Sequence, residues 1–199
     1  MRSDEPRSFT MSVNDLLREL RAGQLVLPSE EWRWDQDDII AFLDSLRRNF
    51  PVGMLLLWQG QAGGGKTVYD GQQRLLTLVR VLWGPLVTGP ADDDPRAHVA
   101  CDLRNGRFFH LDPHAEVEPW HLPLRLTGKM SLFVPWMREM CLRVDPQEAE
   151  RLVDEADRVA RIWAYGVPVC LVPGEAAARE ILDRHRAAEK RELGRSRHA

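Results

Sequence analysis

Two neighbouring glycine-containing stretches have residue types that bind phosphate groups. Residues 60–67 read GQAGGGKT and match the phosphate-loop pattern G-x-x-x-x-G-K-[ST] at every fixed position. Residues 70–74 read DGQQR. In this second stretch Arg74 offers planar bidentate donors to a phosphate, the glutamines can orient a phosphate oxygen or a water molecule, and Asp70 can hold a metal ion or a ribose hydroxyl. The two stretches lie too close together to be the strand-to-helix turn of one site.

The elements around the two stretches decide between them. A phosphate loop needs a strand before its glycines and a helix directly after its lysine, so that backbone amides and the helix dipole point at the phosphates. The apolar run 52–58 (VGMLLLW) provides the strand, but β-branched and aromatic residues follow Lys66 and predict a second strand over residues 66–70. Residues 60–65 are therefore predicted to be a glycine hairpin that joins two strands.

The DGQQR stretch has the elements that the first stretch lacks. The strand ending at Asp70 leads into Gly71, which allows an unusual backbone turn, and an apolar helix-like run starts immediately afterwards. Free amides at that helix start, together with Arg74, would form a compact anion site. The alternative is a plain strand–turn–helix corner whose polar residues cap the helix, and the residue types leave both interpretations open.

The composition limits the class of protein. A chain of 199 residues with 44% hydrophobic and 29% charged residues is typical of one soluble globular domain. The net charge of -3 argues against a protein that as a whole attracts DNA, although the tail from Arg184 onward is basic and could contact DNA. The three cysteines have no C-x-x-C spacing, and neither a signal sequence nor a membrane span is visible. We therefore expect reduced thiols, no membrane partner and a cytoplasmic location.

Hydrophobic periodicity predicts one α+β domain whose second half is mainly helical. Ser12 to Asp15 resembles a capping box before a helix that ends at Gly23, and the apolar face 39–46 predicts a second helix. Asn105-Gly106 is the expected turn of a hairpin over residues 98–111. The remaining segments are predicted as strands over 24–28 and 167–172, helices over 131–144, 145–165 and 175–193, and irregular chain over 112–128.

Residues 69–78, YDGQQRLLTL, resemble the signature of the N-terminal domain of GmrSD-type restriction proteins, a strand-borne D-G-Q-Q-R followed by L-x-T-L. The flanking segments are similar as well, since residues 39–46 (IIAFLDSL) resemble the family's helix, 50–53 (FPVG) its turn and 55–58 (LLLW) its apolar strand. The resemblance extends over residues 10–185. It implies a single domain over residues 1–199 with its core at 10–185, a short basic C-terminal tail and no nuclease domain.

The resemblance also implies a fold and a function. The fold is expected to be similar to ParB and sulfiredoxin, a small mixed sheet with helices in which the equivalent glycine–arginine turn binds nucleotide phosphates. The ligand would be a nucleoside triphosphate (GTP, ATP or CTP) accompanied by Mg²⁺, without a dedicated metal site in the protein. Defence against phage DNA, alongside a separate nuclease subunit, is the expected role. The expected nucleotide-binding residues in the signature are Asp70, Gly71, Gln72, Gln73 and Arg74.

The same resemblance implies a catalytic role for part of the signature. Asp70, Gln72, Gln73 and Arg74 would carry hydrolysis of the nucleotide, with one of the two glutamines positioning water and Arg74 stabilising phosphoryl charge. The alternative to this enzymatic function is a non-catalytic module that binds DNA or a partner nuclease through the same pocket and the basic tail.

The chain departs from the family pattern in two places. The family carries P-x-x-Q-R-x-[YFW]-x-W before its second helix, whereas residues 28–34 read PSEEWRW, so that Ser29 and Glu30 replace the Gln and Arg. Arg33 and Trp34 of this segment are expected to join the nucleotide site, Arg33 as the compensating cation. The family's F-x-R-x-N-x-x-G-x-x-L element is represented here by an arginine near residue 184 without the Asn and glycines.

Other candidate residues give weaker signals. His110, His114 and His121 with Asp112 could suggest a metal cluster, but Pro113 and the irregular spacing favour solvated loop histidines. The seven tryptophans are expected to be core or interface residues. Trp32 and Trp34 are the exceptions, because the family's aromatic element lies beside the ligand pocket, where an indole could stack on a base.

Overall fold

The described residues form both helices and strands, and the predicted α+β class is confirmed. The computed structural model describes residues 5–29, 31–59, 65–84, 94–112 and 117–184. Glu30 and the basic tail after residue 184 lie outside the described residues. The described elements are β1 (Arg7–Ser12), α1 (Val13–Arg21), β2 (Leu25–Val26), α2 (Gln36–Arg47), β3 (Leu55–Gln59), β4 (Lys66–Asp70), α3 (Gln72–Leu78), β5 (Val99–Asp102), β6 (Arg107–His110), β7 (His121–Pro123), α4 (Met130–Arg143), α5 (Pro146–Ala160), β8 (Gly166–Val172) and α6 over residues 175–184.

A five-stranded mixed sheet lies at the centre of the fold, in the order β1-β8-β3-β4-β2. Strand β8 is antiparallel to β1 and parallel to β3, while β4 is antiparallel to β3 and parallel to β2. The middle strand β3 places Leu55, Leu56 and Leu57 in succession in the interior. Such a continuous apolar run is what a strand covered on both faces requires, and the sequence prediction for this segment is confirmed.

A smaller antiparallel sheet follows in the order β6-β5-β7. Its β5–β6 hairpin turns at Gly106, whose φ of 68° is unstrained only for glycine, so the predicted hairpin is confirmed. Strand β7 lies within the segment 112–128 that the sequence predicted to be irregular, and β1 was not predicted at all. Both are short strands stabilised by pairing with a distant strand, which local patterning does not show.

The helix ends follow the capping chemistry that the sequence indicates. The Ser12 hydroxyl accepts the N–H of Asp15 at 3.0 Å, and the chain leaves α1 through Gly23 at φ 67°. Asp145 caps α5, and Pro146 occupies its first turn. These local signals account for the predicted starts of α1 and α5.

The core lies on both faces of the five-stranded sheet. Helices α1, α2, α3 and α5 contribute to one large apolar cluster, which includes Leu16, Leu43 and Leu75. A smaller cluster joins β3 and β8 to α6 through Leu56, Cys170 and Ala178, among others. None of the helices in the described ranges is both long and apolar enough to cross a membrane. Cys101, Cys141 and Cys170 are all free thiols, as the sequence predicts.

Candidate functional site

The DGQQR stretch forms a tight corner between β4 and α3. Gly71 has a φ of 92°, and a Cβ placed on it would lie 2.2 Å from Cδ2 of Leu55, so both backbone and packing require glycine. Helix α3 begins at Gln72, and no side chain of the described residues caps it. The backbone amides of its first turn point out of the helix toward the corner, as in any helix, and no side-chain cap among the described residues competes with an anion for them.

The phosphate-loop match in residues 60–67 does not form a strand-to-helix turn. Residues 60–64 lie outside the described residues, but the strands on either side pair antiparallel, with Gln59 opposite Lys66. Thr67 continues β4, so the prediction that a strand and not a helix follows the lysine is confirmed. The ammonium group of Lys66 lies 2.6 Å from the carboxylate of Glu19. The DGQQR corner therefore remains as the phosphate-binding candidate.

Arg74 joins the corner to the chain just before β3. Its Nη1 donates to the carbonyl oxygens of Val52 at 3.0 Å and Met54 at 3.1 Å, and its Nη2 donates to Oδ2 of Asp70 at 3.2 Å. A Cβ on Gly53 would lie 2.8 Å from Nη1, so glycine is needed for this approach. Burial lowers the pKa of Arg74, and the Asp70 carboxylate partly offsets this effect. The guanidinium nonetheless stays charged, because an arginine pKa starts so high.

Gln73 joins the corner to the segment that precedes α2. Its Oε1 accepts the backbone N–H groups of Arg33 at 2.7 Å and Trp34 at 3.3 Å, and its Nε2 donates to the carbonyl of Glu31 at 2.8 Å. The structure thus brings Arg33 and Trp34 together with the signature, as the family resemblance implied. Both ends of the Gln73 amide are used in holding this segment, which we call the 31–34 segment.

Asp70 and Gln72 are the signature residues whose polar groups are most available. The Asp70 side chain is 47% exposed at the mouth of the corner. The Gln72 side chain makes one hydrogen bond within the described residues, from Nε2 to the Val68 carbonyl at a long 3.4 Å. Arg33 is 72% exposed, and its guanidinium lies 2.6 Å from the carboxylate of Glu31. The hydrogen bond that Arg33 donates to Glu31, together with the negative charge of Glu31, raises the pKa of Arg33.

Trp32 cannot stack on a base, which corrects the expectation from the sequence. It is buried, with 5% of its surface exposed, and its Nε1 donates to the hydroxyl of Thr77 at 2.9 Å. The guanidinium carbons of Arg80 and Arg96 lie 5.2 Å and 4.7 Å from its ring centroid. Trp34 is half-buried and remains the aromatic residue of this segment that borders the corner.

Arg96 and Asp94 support the site, although the sequence did not single them out. Nη1 of Arg96 donates to the carbonyls of Trp32 at 3.0 Å and Trp34 at 2.8 Å. Asp94 fixes Arg96 with an ion pair of 2.6 Å, and the hydrogen bond from Arg96 lowers the pKa of Asp94. No local pattern could have shown these contacts, because the sequence separations from Arg96 to the two tryptophans are 64 and 62 residues.

His110 and His121 lie on strands of the smaller sheet. Nε2 of His110 on β6 lies 3.1 Å from the carbonyl of Gln36, and the ring of His121 on β7 packs against Phe109. His110 and His121 are therefore strand residues and not the loop residues that the sequence suggested, while His114 lies outside the described residues. Within the described ranges, no group of three His, Cys, Asp or Glu residues is arranged to hold a metal ion.

Comparison with known protein families identifies the family of the chain. A family model described as the N-terminal domain of the GmrSD restriction endonuclease matches residues 14–160. The match includes the corner, the 31–34 segment and Arg96. A search of curated proteins gave no match to the chain. Because the family match spans well over half of the 199 residues, the chain belongs to the GmrSD restriction endonuclease N-terminal domain family.

Proposed function

We propose that the chain is the nucleotide-binding component of a restriction system, and that the corner between β4 and α3 holds the phosphates. Membership of the GmrSD family makes the chain part of a nuclease-associated restriction system that acts on DNA. The observation that carries the nucleotide proposal is the corner itself, in which a strand passes through Gly71 at φ 92° into a helix that no side chain of the described residues caps. This is the arrangement that presents backbone amides to an anion.

The groups around the corner suit a polyphosphate. Helix α3 continues into a π-helical turn at Val79–Trp83, which lengthens the helix whose positive end faces the corner. The contacts of Arg74 within the described residues leave its Nε–H and the second hydrogen of Nη2 without a partner. The half-exposed carboxylate of Asp70 would hold a ribose hydroxyl or a magnesium ion, which would supply charge neutralisation when bound.

The geometry favours Gln72 over Gln73 as the residue that would orient water in hydrolysis. The amide of Gln73 makes its three hydrogen bonds to the 31–34 segment, so turning it toward a ligand would release that segment. Gln72 has only the weak contact to Val68 to lose among the described residues. Arg74, held by the carbonyls before β3, would stabilise charge on the transferred phosphoryl group.

A second candidate function is a non-catalytic binding module. The specific observation in its favour is that the exposed guanidinium of Arg33 forms an ion pair with the carboxylate of Glu31 at 2.6 Å. Glu31 thus offsets part of the positive charge of Arg33, and Glu30 replaces the arginine that the family pattern has in this segment. Binding of a nucleotide, DNA or a partner nuclease without turnover would follow from a site with too little positive charge for phosphoryl transfer.

Nucleotide binding is tested by titrating labelled GTP, ATP and CTP with and without Mg²⁺. We expect at least one nucleotide to bind the wild type, and Arg74→Ala to abolish binding. Because Arg74 also supports the fold, circular dichroism must show that the variant is folded, and Arg74→Lys provides a version that keeps the charge. The next variant, Gln72→Ala, changes the neighbouring signature residue. Its matched control is Gln147→Ala, because Gln147 is an exposed glutamine on α5. Absence of binding by the wild type for all three nucleotides would refute the proposal.

Hydrolysis is tested separately by measuring phosphate release with and without DNA. If Gln72 orients the water, Gln72→Ala lowers the turnover rate while nucleotide affinity stays within about twofold of the wild type, since only a transition-state contact is removed. If the nucleotide binds tightly but phosphate is released neither with DNA nor without it, the chain is the non-catalytic module.

A further inference from the structure

A polar cavity lies away from the DGQQR signature. Its volume is about 250 Å³, and three separate parts of the chain form its walls: the end of α2, the β5–β6 turn and one face of α5. No residue of the signature or of the 31–34 segment lines it. The lining residues are Arg47, Leu103, Arg104, Asn105, Gly106, Arg151, Asp154, Glu155 and Arg158.

The cavity is lined by four arginines and by the acidic residues Asp154 and Glu155. Glu155 is nearly buried and is shared, since Oε1 lies 2.8 Å from Arg47 and Oε2 lies 2.8 Å from Arg158. Glu148 is shared in the same way, at 2.8 Å from Arg104 and a longer 3.6 Å from Arg151. Arg47 also contacts Asp44, so the four guanidinium groups meet three carboxylates, which cannot accept all of their N–H donors, and Asp154 adds a fourth carboxylate to the lining.

Arg47 carries a donor that these pairs leave unused. Its Nη1 contacts Glu155, and its Nη2 contacts Asp44 at a weak 3.4 Å, but Nε is buried without a hydrogen-bond partner within the described residues. An unsatisfied buried donor is costly, and a bound anion or water is a common explanation for one. Gly106 allows the β5–β6 turn to approach the guanidinium group of Arg47 closely, because a Cβ at this position would lie 3.0 Å from Nη1.

We propose that this cavity binds the phosphate group of a small phosphorylated molecule. Guanidinium groups match a phosphate in geometry as well as in charge. The volume is below that of a drug-sized ligand site, so it suits a phosphate group with a short attached moiety. Arg151 and Arg158 are each 61% exposed. The contact of Arg151 is long, so its side chain can turn toward a ligand, whereas Arg158 would bind a ligand beside its 2.8 Å ion pair with Glu155. This site is independent of the nucleotide site proposed above.

The test is two-dimensional NMR of the isotope-labelled full chain, titrated with sodium phosphate, with glycerol 3-phosphate, and with sodium chloride at matched ionic strength. We expect the amide signals of Asn105 and Gly106 to shift saturably with both phosphates and not with chloride. The variant Arg151→Gln/Arg158→Gln should weaken phosphate binding at least tenfold. Losing even one hydrogen bond between charged groups costs about 1.5 kcal/mol, which corresponds to slightly more than a tenfold change in affinity. Both residues are exposed, so the variant is expected to fold.

The matched control is Arg143→Gln/Arg161→Gln, which removes two exposed arginines of i,i+4 ion pairs that do not line the cavity. It should bind phosphate like the wild type. The proposal is overturned if the wild type shows no saturable shift beyond the chloride control, since the arginines then form only a structural ion network. It is also overturned if the cavity variant binds phosphate like the wild type. A third contrary result would be that a DNA oligonucleotide without terminal phosphates shifts the amide signals of Asn105 and Gly106 in the wild type but not in the cavity variant, since the cavity would then bind DNA.

Discussion

The hydrogen bonds of Gln73 to the 31–34 segment lead to a measurable difference between two adjacent glutamines. Gln73→Ala removes three hydrogen bonds to backbone groups of Glu31, Arg33 and Trp34. A net 0.5 to 1.5 kcal/mol for each gives an upper range, and the exposed groups of Glu31 and Arg33 regain water, so we expect a loss of about 2 kcal/mol in the free energy of unfolding. Gln72→Ala removes one long contact to Val68 and should cost at most about 0.5 kcal/mol.

The assay is urea unfolding of both variants and the wild type, followed by circular dichroism. A loss of about 2 kcal/mol corresponds to a fall of roughly 4 to 8 °C in the melting temperature of a domain of this size, so a thermal scan gives an independent check. Equal stability of the two variants, or a larger loss for Gln72→Ala, would refute the reasoning. A changed slope with urea would show that the denatured state is affected instead.

Two further predictions concern glycine and cysteine. Gly23→Ala introduces strain from φ alone, since a Cβ there meets nothing within 4 Å, and should cost about 1 kcal/mol. Gly71→Ala adds a 2.2 Å clash with Leu55 and should cost at least about 1 kcal/mol more than Gly23→Ala in urea unfolding; equal losses would contradict the packing argument. Burial raises the pKa of the Cys101 thiol to about 12. At pH 8 iodoacetamide should therefore label the half-buried Cys141 well before Cys101. Equal labelling rates in mass spectrometry would contradict this prediction.

Elements with local signals were predictable from the sequence. Asp145-Pro146 predicts the start of α5, and Asn105-Gly106 predicts the β5–β6 hairpin, whose turn covers residues 103–106 and ends at Gly106. Strand β1 was missed for the opposite reason. Its first four residues are exposed, and its identity as a strand depends on antiparallel pairing with β8, more than 150 residues later.

The candidate site was predictable in position and only partly in its contacts. Gly71 and the strand–turn–helix order around it follow from the local sequence, and the family resemblance added the 31–34 segment. The engagement of Gln73 and the approach of Arg96 to Trp32 connect side chains to backbone groups that are 39 to 64 residues away. Residue types alone cannot show whether a polar side chain faces a ligand or its own backbone.

Gln73 and Arg74 are neighbours in the chain, yet they hold two different segments to one helical turn. Gln73 holds residues 31–34, and Arg74 holds the carbonyls of Val52 and Met54. A shift of that turn must move both segments, so their local opening is expected to be cooperative. Amide hydrogen exchange would then slow in both segments when an anion stabilises the start of α3. A ligand could thus be detected at Arg33 and Trp34 even if it touches neither residue.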